Sequence, residues 1–500
     1  MPDTPAPRVL PLKPLPTGIP GLDTVLGGGL PSGDLLFVVG VPGSGKTVLA
    51  LQLAFARIKR GGKALLLTSF SEGHDKLIGH VLGFSFCDQT VIGQALQLLS
   101  LLPMLENGPE ETTRAVVRTA RQQATDLVII DGFRGIHDAF GSDLASRQFL
   151  QLLSTQLAYL GATLVITAEF DASERGHFSD LTTADSIIAL SQQRVGLQQR
   201  RLLEVRKLRG GAPLAGAHAY RINSSGLTVF PRLESIALPA LPPVAMGRAS
   251  FGLPALDGML GGGLTTSTTT LLAGSPGTGK TVLGLHFLVA GLQAGEQGLF
   301  VTVHETEDQL RDKARAFGLE IDEALTMDRL RFLRRAPVEL DVDELATAVQ
   351  EELARRPVRR VVIDGLSTLE RTLAVDGRAA DFLASLVELL RARQVTSIFT
   401  LEIGQYGGEE LNLASSPFFF LGENLLLLRQ IPYQNQFRRL LSVLKMRFSG
   451  YDPTIREFTI GDGGIAVGGP LGDERSITPG GNAPGEAAAH VDEGRAPGAK

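Results

Sequence analysis

The chain carries one set of motifs twice, and this duplication constrains its fold more than any other feature. TGIPGLDTVLGGGLPSGDLLFVVGVPGSGKTVLALQLAFA near the start is answered by SFGLPALDGMLGGGLTTSTTTLLAGSPGTGKTVLGLHFLVA. The LGGGL segments begin at Leu26 and Leu260, and the glycines opening GxxxxGKT are Gly40 and Gly274; each pair lies 234 positions apart. LVIIDG and VVIDG set Asp131 and Asp364 at a spacing of 233, while EVRKLRGG and SVLKMRFSG set Lys207 and Lys445 at 238. Landmarks that keep their order with so little drift define a tandem duplication. We therefore expect an N-terminal extension over 1–11, a first domain over 12–235 and a second over 246–465. PRLESIALPALPPVAMGRAS, rich in Pro and Ala without helical or strand period, makes 236–245 a linker. Residues 466–500 are mostly Gly, Ala, Pro, Asp and Glu, the composition of a disordered tail.

Within each half, short apolar runs alternate with longer amphipathic segments. DLLFVVG, KALLLTSF, LVIIDG and ATLVITAEF are nearly unbroken apolar runs, as strands buried on both faces are. The expected class is α/β: two tandem RecA-like P-loop domains, each a mainly parallel twisted sheet flanked by helices. At 43% hydrophobic and 20% charged the chain can build such cores. It has no apolar run of about 18 residues, and its first residues lack a signal-peptide core. One cysteine, Cys87, leaves no intramolecular disulfide and no cysteine-rich metal site. These features predict a cytoplasmic protein outside the membrane. A formal net charge of −5 argues against a surface broadly suited to nucleic acid.

GVPGSGKT and GSPGTGKT each follow a strand-like run and open a helical one, the context in which GxxxxGK[ST] binds phosphate. The glycines let successive N–H groups face inward, and the helix N-terminus adds positive potential. This assigns Gly40, Gly43, Ser44, Gly45, Lys46 and Thr47, with Gly274, Gly277, Thr278, Gly279, Lys280 and Thr281, to ATP. Lys46 and Lys280 would reach the β- and γ-phosphates; Thr47 and Thr281 would offer hydroxyls to Mg²⁺. Asp131 and Asp364 end apolar strands, positions from which a carboxylate reaches the Mg²⁺ shell, though an Asp there also serves as a turn former. Glu72 and Glu305, 233 apart just beyond the strand after each loop helix, are candidate bases for an attacking water or simple helix-start acids. Lys207, Arg209, Lys445 and Arg447 are candidate basic fingers for γ-phosphate charge, or else a charged rim. Arg355, Arg356, Arg359 and Arg360 read as a solvated helix end, and Phe418–Phe420 as a buried strand or subunit contact.

The doubled order of GLDxxLGGGL, phosphate loop, VIIDG or VVIDG, and KLRG or KMR resembles the KaiC family of tandem RecA-like ATPases. That resemblance covers the chain to about residue 465. It implies a homo-oligomer, a hexameric double ring that holds ATP at subunit interfaces, hydrolyses it slowly and answers to a regulatory partner such as a KaiB-like or signalling protein. It also implies that Lys207, Arg209, Lys445 and Arg447 act on a neighbour's nucleotide. Two departures stand out. The family usually carries paired glutamates at the catalytic strand end, where this chain has Ser71–Glu72 and His304–Glu305. Phe419 and Phe420 fall where the clock protein's second domain presents the Ser and Thr that it phosphorylates, with Ser415 and Ser416 slightly upstream. A Ser/Thr autokinase is therefore disfavoured beside an ATPase, and a nucleotide-gated scaffold with little turnover stands as an alternative. A RecA-type DNA motor would need basic or aromatic channel loops. EFDASERGHFSDLTT and EIGQYGGEELNLASSPFFF carry little basic charge, and the latter holds Glu409 and Glu410.

Overall fold

The computed structural model describes residues 14–69, 78–79, 81–169, 180–195, 198–238, 247–374, 377–403 and 418–470. Ser71, Glu72, Ser415, Ser416, the extension 1–11, residues 239–245 of the linker and the tail beyond 470 lie outside the described residues. The chain divides into two compact units, Met1–Ala240 with Val338–Arg355, and Leu241–Pro337 with Arg356–Lys500.

The first unit is built on nine strands: β1 (Leu35–Gly40), β2 (Ala64–Thr68), β3 (Leu96–Ser100), β4 (Leu127–Asp131), β5 (Thr163–Glu169), β6 (Ser186–Val195), β7 (Gln198–Leu208), β8 (Ala217–Asn223) and β9 (Gly226–Phe230). Their order in the sheet is β3-β2-β4-β5-β1-β6-β7-β8-β9. The pairings from β3 to β6 are parallel, and those from β6 to β9 are antiparallel. All six residues of β1 are buried. Alternate side chains serve opposite cores: Leu36 and Val38 pack with the helix Lys46–Lys59, while Leu35, Phe37 and Val39 pack with helices Gly108–Gln123 and Asp143–Tyr159. Two covered faces are why the strand sequence is continuously apolar.

The second unit opens with a two-stranded antiparallel pair, β10 (Arg248–Ala249) and β11 (Leu264–Thr265). Its main strands are β12 (Thr269–Gly274), β13 (Gln297–Thr302), β14 (Leu330–Arg334), β15 (Val358–Asp364), β16 (Thr396–Glu402), β17 (Asn424–Tyr433), β18 (Gln436–Met446), β19 (Arg456–Gly461) and β20 (Gly464–Pro470). Their order, β14-β13-β15-β16-β12-β17-β18-β19-β20, repeats that of the first sheet strand for strand. Residues 466–470, which composition placed in the tail, continue β20.

Local structure departs from the sequence reading in three places. Arg360 is not part of a solvated helix end; it lies in β15 and is 3% exposed. Its guanidinium donates to Glu296 Oε2 at 2.5 Å and to the Phe287 carbonyl at 2.7 Å, and sits 4.6 Å from the Phe287 ring centroid. Phe418–Leu421 forms a helical turn rather than a strand; Phe418 is buried against Phe399 and Phe420 is exposed. Finally, the helix Val342–Arg355 belongs by sequence to the second repeat but packs in the first unit. There Arg200 donates to Asp341 at 3.2 Å and Arg221 pairs with Glu344 at 2.8 Å. Among the described residues no helix is long and apolar enough to cross a membrane.

Candidate functional site

Each phosphate loop joins the C-terminal end of the central strand to a helix that starts on its lysine, Lys46–Lys59 in one unit and Lys280–Gln293 in the other. Gly43 and Gly45 have φ of 76° and 94°, Gly277 and Gly279 of 78° and 99°, so the curl uses backbone that other residues rarely adopt. A Cβ on Gly45 would come 2.4 Å from Ile222, and one on Gly279 2.5 Å from Ile460. The antiparallel half of each sheet therefore backs its loop directly.

Lys46 Nζ donates to the carbonyls of Gly40 at 2.9 Å and Val41 at 3.0 Å; Lys280 Nζ does the same to Gly274 at 2.8 Å and Ser275 at 2.9 Å. Burial lowers the pKa of both lysines below the usual lysine value, opposed by Glu169 and Asp131 around Lys46 and by Glu402 and Asp364 around Lys280. Ser44 Oγ and Ser275 Oγ are buried in the loops without a hydrogen-bond partner. An unpartnered buried hydroxyl, a loop ammonium and glycines at positive φ at the start of a helix fit a phosphate chain.

The candidate metal-binding residues converge as well. Thr47 Oγ1 lies 3.2 and 3.1 Å from the two oxygens of Asp131, and Thr281 Oγ1 donates to Asp364 Oδ2 at 2.9 Å. Thr167 orients Asp131, accepting from the Gly132 N–H at 2.9 Å and donating to Asp131 Oδ1 at 2.5 Å. Thr400 repeats this with Gly365 and Asp364. A hydroxyl and a carboxylate held together beside the loop lysine are a donor set suited to Mg²⁺.

The candidate base and fingers are placed differently. Glu305 Oε1 is held by Lys313 Nζ at 2.5 Å, on the helix Glu307–Ala316. His304 lies beside Gly365, its Nε2 3.3 Å from Thr368 Oγ1. Lys207 Nζ donates to the Ala184 and Thr182 carbonyls, and Arg209 pairs with Asp185 at 3.0 Å. Lys445 Nζ donates to the Gly422 carbonyl at 2.7 Å, and Arg447 to the Phe420 carbonyl at 3.5 Å. None of the four bonds to the loop of its own unit among the described residues.

Sequence reasoning passed over the residues that brace the loops. Gln192 Nε2 donates to the Gly43 carbonyl at 2.9 Å, and Gln430 Nε2 to that of Gly277 at 3.3 Å. Tyr220 Oη donates to the Ser44 carbonyl at 2.5 Å. The matched spacing of the glutamines, 238 residues, was the only signal of their role in the sequence.

Known proteins are similar to the chain over most of its length. Residues 15–234 and 249–471 each match the family described as ATPase: KaiC. The circadian clock oscillator protein KaiC of Picosynechococcus sp. is 27% identical over 468 residues, covering 90% of this chain and 89% of the relative. That of Thermostichus vulcanus is 28% identical, covering 91% and 89%.

Proposed function

The chain belongs to the KaiC ATPase family, and on that premise we propose that it binds ATP with Mg²⁺ at both loops and hydrolyses it slowly within a homo-oligomeric double ring, changing shape to regulate a partner protein. The observation that carries this reading is the geometry found twice: a loop lysine folded onto its own loop carbonyls, buried in the second unit and half-buried in the first, beside a threonine–aspartate pair at the C-terminal edge of a parallel sheet. Ligands of open α/β sheets bind at that edge.

Lys46 and Lys280 would exchange their loop carbonyls for phosphate oxygens. Thr47 with Asp131, and Thr281 with Asp364, would hold Mg²⁺, which supplies charge neutralisation across the β- and γ-oxygens. The basic fingers support assembly by their position. Leu208 pairs with Ser186, and Ser186 with Leu36 of β1, four residues before Gly40, so Lys207 and Arg209 sit ~13 Å along the sheet from their own loop. Residues so placed serve a neighbour's nucleotide or none. The family hexamer is the ring we expect.

Self-phosphorylation of the clock type is not part of this reading, because Phe419 and Phe420 offer no hydroxyl. The test follows label from γ-labelled ATP with Mg²⁺ into free phosphate and into protein. We expect label in phosphate alone, abolished by Lys46→Ala with Lys280→Ala together. Label on the protein would instead establish a kinase. Tight ATP binding with no released label would establish a nucleotide-gated scaffold.

A further inference from the structure

Resting on the ATPase reading, we propose that Glu169 and Glu402 are the carboxylates that orient and deprotonate the attacking water in the two sites. They lie 233 residues apart, the spacing of Asp131 and Asp364. Each ends the strand that runs between the aspartate strand and the loop strand: β5 between β4 and β1, and β16 between β15 and β12. Register sets Glu169 opposite Gly40 and Glu402 opposite Gly274, the glycines that open the two phosphate loops.

Strand periodicity fixes the face. Residues two apart point the same way. Thr167 and Thr400, two positions earlier, each donate a hydroxyl to the site aspartate. Glu169 and Glu402 therefore extend on that same face, one step further into the crevice. Of the acids acting on Lys46, Glu169 has a larger effect than Asp131, and Glu402 likewise exceeds Asp364 at Lys280. Both glutamates are exposed, and neither carboxylate has a hydrogen-bond or ion-pair partner among the described residues. They are available to a ligand.

The second site's other acid is tied by one oxygen: Glu305 Oε1 is bound to Lys313 on the helix that follows it, while its Oε2 is buried without a hydrogen-bond partner. His304 has its Nε2 at Thr368 Oγ1, which also accepts from Arg371 at 3.1 Å. In the proposed step a Glu402 carboxylate oxygen takes a proton from water as the water oxygen bonds to the γ-phosphorus. The bond from that phosphorus to the bridging oxygen breaks, its electron pair leaves with ADP, and the carboxyl returns the proton to solvent.

The experiment uses the full chain with Lys46→Ala, so that only the second loop is competent. Single-turnover hydrolysis of MgATP is measured beside two binding readouts, the equilibrium affinity for MgATP and the identity of the nucleotide retained after desalting. We expect Glu402→Gln to lower hydrolysis by about 10²–10⁴-fold. Affinity should hold within about threefold and the retained nucleotide should be ATP, because a carboxylate that only moves a proton adds little to ground-state binding. Glu402→Asp should recover part of the rate. Glu169→Gln in a Lys280→Ala chain should repeat this for the first site. Loss of affinity alongside rate would make Glu402 a binding residue and overturn the proposal. A fully active Glu402→Gln would overturn it too, and a loss confined to Glu305→Gln or His304→Ala would name the group that acts instead. A Lys46→Ala parent that binds MgATP yet never hydrolyses it would overturn the ATPase reading, and this role with it.

Discussion

Asp34, the residue before β1, is 8% exposed and accepts from Ser186 Oγ at 2.6 Å. Burial is the main reason that its pKa rises from 3.8 to about 6. A carboxyl raised in the folded state stabilises the fold fully below pH 3.8 and loses that contribution as pH climbs through about 6. The repeat offset puts Thr268 at this position in the second unit, with no charge to bury. Asp34→Asn should therefore raise first-unit stability at pH 7.5 by at most about 3 kcal/mol, the advantage closing toward pH 4. Denaturant melts at the two pH values measure it, and an equal gap at both would reject the assignment. Single residues also show what a sequence reveals. The placement of Lys46, Thr47 and their counterparts on the loop was legible because the phosphate loop is one continuous stretch of adjacent residues. Asp131 needed only a strand end and a repeat spacing. Glu169 stayed hidden because its meaning lies in the register of β5 against β1, which no local pattern encodes.

Among the elements, the antiparallel half of each sheet backs the loop, and the two repeats do this with different chemistry. Ile222 and Ile460 close on Gly45 and Gly279 alike, but Tyr220 bonds to the Ser44 carbonyl where the second unit has Phe458. Tyr220→Phe removes one buried donor and should cost about 1–3 kcal/mol of first-unit stability. With the loop less firmly held, affinity for ATP at the first site should fall severalfold while the second site keeps its own. Titration with Lys280→Ala as background isolates the effect, and unchanged first-site binding would show that the loop holds its shape without Tyr220. Strand β15 offers a sharper case in Arg360. Arg360 is buried but its partner Glu296 is 31% exposed, so Arg360→Ala loses charged hydrogen bonds without stranding a buried carboxylate and should destabilise the second unit by about 1–3 kcal/mol, read from its melting transition. Arg355, Arg356, Arg359 and Arg360 look alike in sequence; only the pleat of β15 decides that Arg360 faces Phe287 while Arg359 is exposed. The helix Val342–Arg355 was hidden for a related reason, since its heptad-like pattern shows an apolar face without showing which unit covers it.

At the scale of the whole molecule, none of the four candidate fingers bonds to the phosphate loop of its own unit among the described residues. Arg447 is exposed and tied only loosely to the Phe420 carbonyl at 3.5 Å, and Lys445 is anchored at the Gly422 carbonyl. Lys445 pairs with Leu425 of β17 and Leu425 with Leu271 of β12, three residues before Gly274, so the finger sits ~10 Å along the sheet from its own loop. A finger that acts must then act in trans, and its loss must be separable from the loss of the lysine it complements. With Lys46→Ala in every chain to silence the first site, Arg447→Ala and Lys280→Ala subunits should each be nearly inactive. Mixed, they should recover hydrolysis, because some interfaces join an intact loop to an intact finger. An added cationic donor is worth 10³-fold or more in P-loop enzymes, so even a minority of such interfaces would stand clear of the background. Recovery should rise with mixing toward a maximum at comparable amounts and vanish when Lys280→Ala and Arg447→Ala share one chain. If subunits shown to exchange recover nothing at any ratio, Arg447 is a rim charge and each site must complete itself from its own unit.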